Sequence, residues 1–130
     1  MNYMVKGNIL GFENMLNVEI HEVDELFSTM IDADNKNISF TILNPYLLRG
    51  YSFDLPLDTK VLLGINEKSN VSVYNIVVIQ QPLEKSTVNF LAPIIVNNDT
   101  KQIAQAVLKK QNHPDFGMSE KIESFKEQEE

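Results

Sequence analysis

Cysteine is absent from the 130 residues. Its absence excludes disulfides and thiolate chemistry, and it favours a cytosolic protein, because disulfides persist mainly outside the cytosol. There is no run of about 18 apolar residues, the length that a bilayer-spanning helix needs. Residues 1–10 (MNYMVKGNIL) lack the apolar block of a signal peptide. We therefore expect a cytoplasmic protein without a membrane segment.

Basic residues are outnumbered, with 11 Lys and Arg against 18 Asp and Glu, and the formal net charge is −7. A surface of this sign repels phosphate backbones, so we expect no direct binding to nucleic acid. Two interpretations of the charge stay open. It suits a basic protein partner, and it also serves solubility alone.

Residues of catalytic and metal-binding type are scarce and scattered. The two histidines, His21 and His113, stand far apart, and neither belongs to a cluster with ligand spacing. The acidic stretch 19–25 (EIHEVDE) lacks the spacing and turn glycine of a calcium loop, which favours a solvated strand end. No phosphate-binding glycine loop and no nucleophile elbow occur. We expect no enzyme, no metal site and no cofactor.

Period-two alternation predicts strands in the middle of the chain. Residues 37–43 (NISFTIL) place Ile38, Phe40 and Ile42 on one face. Residues 71–80 (VSVYNIVVIQ) alternate at first and then become continuously apolar, which predicts a second half covered on both faces.

A third apolar run, residues 87–96 (TVNFLAPIIV), contains Pro93, where we expect a bulge or an edge because proline cannot donate to a ladder. Turn-forming residues separate the strands at 32–36, 67–70, 82–85 and 97–100. Short strands with short connections predict a mostly β fold: a small antiparallel sheet curled into a barrel or sandwich.

Two segments have other characters. Residues 57–63 fit either a short helix capped by Asp58 or a strand. Near the C-terminus, Ser119 is a good N-cap, and Met118, Ile122 and Phe125 stand at helical spacing. We expect a β domain over residues 1–117, and a short amphipathic helix with a frayed acidic tail over residues 118–130.

Three stretches carry candidate recognition residues. A bulky ring stands beside glycine at residues 11–13 (GFE), and an Asn-Pro turn ends a strand at residues 44–46 (NPY), with Tyr51 following. Asn89 interrupts an apolar run, where satisfying backbone groups is the favoured role. The Asn-Pro turn is open to two interpretations, architecture or partner contact. The candidate partner-binding residues are Phe12, Asn44, Pro45, Tyr46 and Tyr51.

The same stretches, in this order, resemble the FliW family. Residues 11–13 look like the end of that family's GFE segment, and residues 38–45 resemble its strand ending in Asn-Pro. The most specific match is residues 87–97 (TVNFLAPIIVN), followed by residues 105–108 (QAVL). The resemblance extends from about residue 7 to residue 108. Residues 8–10 depart from it, with Asn-Ile-Leu where a Leu-Pro pair is often seen.

This resemblance implies a barrel-like β fold and a role as a flagellar assembly factor. Members of the family bind the C-terminal region of flagellin in the cytoplasm. When flagellin is exported, the freed factor binds the RNA-binding regulator CsrA and relieves its repression of flagellin translation. Two alternatives remain on the residues alone: a small-molecule-binding β-barrel and another non-catalytic interaction module.

Overall fold

The computed structural model describes residues 2–7, 9, 12 and 14–126. Within this part of the chain the elements are β1 (Asn2–Val5), β2 (Asn17–Glu22), β3 (Phe27–Asp32), β4 (Ser39–Leu43), α1 (Leu57–Leu63), β5 (Val71–Val78), β6 (Thr87–Val88), β7 (Ile94–Asn97), β8 (Gln102–Gln105), β9 (Glu120–Lys121) and α2 (Glu123–Lys126). Short 3-10 turns cover Pro45–Leu47, Leu83–Lys85 and Lys110–Asn112. No helix among the described residues is long and apolar enough to cross a membrane.

Seven of the described strands close into a barrel. Neighbouring strands follow the order β4-β3-β2-β1-β8-β7-β5, and β5 pairs with β4 to complete the circle. These pairs are antiparallel, except for the parallel pair β1–β8. β6 pairs with the end of β5 and with β9, so these two strands extend the sheet outside the circle. The predicted barrel-like β fold is confirmed, with one parallel pair in an otherwise antiparallel sheet.

Apolar side chains fill the barrel and cover part of its outside. Strand alternation separates the two sets: Ile94 and Val96 belong to the interior cluster, whereas Ile95 belongs to a cluster under α1. A second outer cluster joins Phe90 to the barrel wall, together with residues 116–125, which we call the C-terminal segment; Phe125 belongs to this cluster. The interior is therefore a packed core, and the two outer clusters fasten the loops to it.

The two ends of the barrel carry different loops. β4 ends and β5 begins at one end, which we call the Asn44 end. At the other end, which we call the plugged end, the loop after β1 inserts Ile9 and Met15 into the interior, where they are 0% and 3% exposed. At about 3.4 Å per residue, strand β4 separates the two ends by roughly 15 Å.

The prediction for residues 37–43 is confirmed by β4. Ile42 and Phe40 pack into the interior cluster, and Leu43 packs into an outer one. The prediction that the second half of residues 71–80 is covered on both faces is wrong, because Val78 and Ile79 are 56% and 44% exposed. The last β5 residue that pairs with β4 is Val77, so both exposed residues lie beyond the closed part of the barrel.

Residues 87–96 form two strands instead of one. β6 ends at Val88 and β7 begins at Ile94. The irregularity expected at Pro93 is therefore a non-strand connection over residues 89–93. Asn89 lies in this connection, where its Oδ1 accepts the N–H of Leu91 at 3.0 Å. The side chain thus satisfies a local backbone group, as the sequence predicted.

Residues 57–63 form a helix, α1, which follows Pro56 and ends at Gly64 in the left-handed region with φ of +62°. A residue with a Cβ would be strained at that position, which explains the glycine. The predicted cap is wrong: Pro56 occupies the N-cap position, and Asp58 lies inside the first turn, where its carboxylate accepts the N–H of Thr59 at 2.9 Å.

The C-terminal helix is shorter than predicted. Ser119 is not its N-cap, because the next two residues pair with β6 as β9, and α2 starts at Glu123. Ile122 and Phe125 are buried as the helical spacing required, whereas Met118 is 69% exposed. Long-range pairing with β6 outcompetes the local helix signal at this point. Residues 127–130 of the predicted frayed tail lie outside the described residues, and the boundary at residue 117 stays a prediction.

Candidate protein-binding site

The Asn-Pro turn displays a tyrosine at the Asn44 end of the barrel. The Oδ1 of Asn44 accepts the N–H of Tyr46 at 3.0 Å and caps the 3-10 turn. Pro45 is buried beneath it. Tyr46 and Leu47 are left 52% and 54% exposed, next to each other. Partial burial still raises the pKa of Tyr46. Asn44 and Pro45 thus have a structural role in the turn, and the turn leaves the aromatic Tyr46 and the aliphatic Leu47 exposed.

Tyr51, another predicted contact residue, is buried in the outer cluster that contains Phe90 and Phe125. It is 4% exposed. Its hydroxyl donates to the carbonyl of Phe90 at 2.6 Å and accepts from the Nδ2 of Asn75 at 3.3 Å. Burial raises the pKa of Tyr51 to about 12, partly opposed by the Asn75 hydrogen bond. With its ring 6.1 Å from that of Tyr46, Tyr51 supports the displayed residue and offers a partner almost no surface itself.

Arg49 connects the loop between Pro45 and Tyr51 to the C-terminal segment. The sequence did not indicate this role for Arg49. Its guanidinium lies 4.9–5.0 Å from the ring centroids of Phe90, Phe116 and Phe125. Its Nη1 also lies 3.1 Å from a carboxylate oxygen of Glu120. Cation–π contacts and a charged hydrogen bond in a largely buried setting hold the loop between Pro45 and Tyr51 in place.

Phe12 lies elsewhere. Its ring packs edge-on against Phe40 at a centroid distance of 4.5 Å, at the plugged end, and it is 37% exposed. The structure therefore does not bring Phe12 together with Tyr46, which stands at the opposite end of β4. Gly11 and Glu13, which flank it in the sequence motif, lie outside the described residues.

A groove runs beside Tyr46 along the first half of β5. We call it the Tyr46 groove, and its lining residues are Asn44, Tyr46, Phe53, Leu55 and residues 71–74. At Leu55 and Val71 it adjoins a second depression, which Lys60 and Lys68 also line. Isolated apolar residues such as Phe53 and Leu55 carry no sequence signal for a groove, which is why the sequence did not indicate it.

The acidic stretch 19–25 forms the end of β2 and the following turn. Asp24 uses its carboxylate to accept the N–H groups of Leu26 and Phe27, at 2.9 and 2.8 Å. Hydrogen bonds from Lys36 and His21 lower the pKa of Glu19. Across the described residues, no group of three or more His, Cys, Asp or Glu side chains is placed to hold a metal ion.

Comparison with known proteins gives a consistent result. A family model described as "FliW protein" matches residues 2–120. "Flagellar assembly factor FliW 2" of Wolinella succinogenes is 45% identical over 125 residues, which cover 96% of this chain and 92% of that protein. "Flagellar assembly factor FliW" of Campylobacter lari is 42% identical over 126 residues, which cover 96% of each chain.

A solved structure shares the fold. The crystal structure of the flagellar assembly factor FliW superposes with a TM-score of 0.84 over 93% of this chain and 84% of that one. The two sequences are 20% identical, so this likeness bears on the fold alone. With the family match over residues 2–120 and relatives above 40% identity along nearly the whole chain, this protein belongs to the FliW family.

Proposed function

We propose that this protein is a flagellar assembly factor that binds the C-terminal region of flagellin in the cytoplasm. When flagellin is exported, the freed protein binds CsrA and relieves its repression of flagellin translation. Membership of the FliW family is the single observation that carries the proposal. The proposed action is protein–protein binding, without a cofactor and without direct contact to nucleic acid.

The chemistry of the Asn44 end supports a protein partner. Tyrosine combines apolar area with a hydrogen-bonding tip, and such side chains are frequent among the residues that dominate interface energies. Tyr46 and Leu47 stand on a loop held by Asn44, Tyr51 and Arg49, so little conformational freedom is lost when they bind.

Charge supports the second partner. With a net charge of −7, the chain attracts a basic protein and repels RNA itself. An RNA-binding regulator needs basic surface to contact phosphates, so an acidic antagonist complements it. Residues 22–25, the last residue of β2 and the turn after it, are exposed at the Asn44 end, and their three carboxylates contribute to this field.

The small-molecule alternative finds no support in the barrel interior. Side chains occupy it, and Val18, Met30 and Ile42 are all 0% exposed. A barrel of this size is filled by its own residues.

Isothermal titration calorimetry tests the proposal, with a C-terminal flagellin fragment and with CsrA as separate titrants. We expect a complex with each titrant. In a separate electrophoretic mobility assay, this protein alone should not shift labelled RNA. Absence of complex formation with both proteins would refute the proposal. Leu16→Ala provides a matched control for variants at Tyr46, because Leu16 is also exposed (61%) but lies at the plugged end.

A further inference from the structure

Strand β5 has an open edge beside Tyr46. β4 pairs with β5 at three positions, from Thr41↔Val77 to Leu43↔Asn75, and then leaves the sheet at Asn44. Among the described strands, the first half of β5 consequently pairs with β7 alone. An edge of this kind is a template for another strand.

One hydrogen bond defines which backbone groups face that edge. The N–H of Asn98 donates to the carbonyl of Asn70 at 2.8 Å, which makes Val71↔Asn97 and Val73↔Ile95 the non-hydrogen-bonded pairs of the antiparallel ladder. The N–H and C=O groups of Val71 and Val73 therefore point away from β7. In the described part of the chain, none of these four groups forms a hydrogen bond.

The open edge forms one side of the Tyr46 groove. Asn44 and Tyr46 belong to the turn that follows β4, and they line the groove together with the edge. The half-buried side chains of Phe53, Leu55, Val71 and Val73 pack against the cluster under α1, and all four line the groove. An added strand would thus find hydrogen-bonding groups at the edge and apolar contacts for alternate side chains.

Charge differs between the two ends of the groove. The Tyr74 end lies within electrostatic reach of Glu22, and burial, with Tyr3 and Glu22 as smaller contributions, raises the pKa of Tyr74. At the Val71 end, Lys60 and Lys68 line the adjoining depression together with one acidic residue, Glu67. A segment that pairs with β5 in the antiparallel sense, as β4 does, runs from the acidic end to the lysines.

We propose that the Tyr46 groove binds an extended segment of another protein, which adds to β5 as an antiparallel strand through the backbone of Val71 and Val73. The segment carries apolar side chains opposite these two valines, basic residues before them and acidic residues after them. The inference rests on the proposed protein-binding function, but not on the identity of either partner. It assigns a binding mode and the chemistry of the bound segment.

Amide hydrogen exchange followed by NMR tests this mode directly. In the free protein, the amides of Val71 and Val73 should exchange faster than those of Ser72 and Tyr74, which donate to β7. The probe is an acetylated, amidated octapeptide, Lys-Lys-Thr-Val-Thr-Val-Glu-Glu. Its addition should slow exchange at Val71 and Val73 and leave the two β7-bonded amides unchanged.

Two altered peptides serve as controls. N-methylation of both valines removes the donors to β5 and keeps every side chain, so binding should weaken at least about tenfold. The charge-reversed peptide, Glu-Glu-Thr-Val-Thr-Val-Lys-Lys, should also bind more weakly. On the protein side, Tyr46→Ala should weaken peptide binding and Leu16→Ala should not.

Three results would overturn the inference: no slowing at millimolar peptide, equal binding of the N-methylated peptide, or equal binding of the charge-reversed one. Slowing at Val71 and Val73 that rises with protein concentration alone would assign the edge to a second copy of this chain and overturn it as well. Calorimetry without flagellin or CsrA complexes, together with peptide binding as described, would refute the proposed partners and leave the binding mode standing.

Discussion

Replacing Tyr51 with phenylalanine tests the support of the displayed loop. The ring and its packing are kept, with neighbouring ring centroids at 4.6 Å for Phe116 and 5.6 Å for Phe90. Only the hydroxyl is lost. Its removal leaves the carbonyl of Phe90 without the donor at 2.6 Å, and the amide of Asn75 without one of its two acceptors.

The expected loss of stability follows from these two hydrogen bonds. A buried polar group left unsatisfied costs about 1–3 kcal/mol. We therefore expect the free energy of unfolding to fall by about 2 kcal/mol near neutral pH. At roughly 3–5 °C for each kcal/mol in a domain of this size, Tm should fall by about 6–10 °C.

The variant should also differ in alkaline solution. Because burial raises the pKa of Tyr51 from 10.0 to about 12, the folded protein holds this proton more tightly than the unfolded chain does. This contribution to stability is complete below pH 10 and is lost as the pH rises from 10 to about 12. Tyr51→Phe lacks it, so the variant should be less sensitive to alkali over that range.

Urea unfolding followed by circular dichroism measures both effects, at neutral pH and in steps up to about pH 12. Tyr46→Phe is the matched control, since that ring is half exposed and its variant should unfold like the parent near neutral pH. The reasoning is refuted if Tyr51→Phe has the parent's stability at neutral pH, or if its loss of stability in alkali equals that of the parent.

Three further predictions concern the candidate site. Tyr46→Ala should weaken binding to at least one partner by about 1–2 kcal/mol in calorimetry and leave Tm unchanged; an early melt would show a structural role instead. Asn89→Ala should lower stability by about 1 kcal/mol in thermal melts, because the N–H of Leu91 loses its acceptor; unchanged melting with lost flagellin binding would reverse the two roles. Rising salt should slow association with CsrA more than it speeds dissociation in stopped-flow measurements, and a salt-independent association rate would contradict an electrostatic contribution.

Local sequence patterns predicted the positions of strands better than the burial or the pairing of those strands. Alternation over residues 37–43 indicated β4 because period two depends on neighbouring residues alone. The same reasoning failed at Val78 and Ile79, since an apolar run does not reveal where a partner strand ends. Pairing between distant segments was also beyond reach: neither the parallel β1–β8 pair nor the pairing of β6 with β9 leaves a periodic signal.

In the candidate site, too, the local features were predictable from the sequence and the long-range contacts were not. The turn at Asn44 and Pro45 was predictable because its hydrogen bond closes within two residues. The burial of Tyr51 was not, since its partners Asn75 and Phe90 are 24 and 39 residues away. Phe12 and Tyr46, both candidate contact residues from the sequence, lie at opposite ends of the barrel, and local sequence patterns do not show that separation.

The loop that carries Tyr46 and the C-terminal segment form one structural unit. Glu120 accepts hydrogen bonds from Arg49 at 3.1 Å and from the N–H of Gly117 at 2.7 Å, so one carboxylate oxygen joins the loop to the turn before β9. A Cβ at Gly117 would meet the Glu120 side chain at 2.9 Å, which explains the glycine there. Because Arg49 is largely buried, losing Glu120 would leave its charge poorly compensated. The position of Tyr46 therefore depends on residues more than 70 positions away, and rigidity at the Asn44 end is a property of the whole domain.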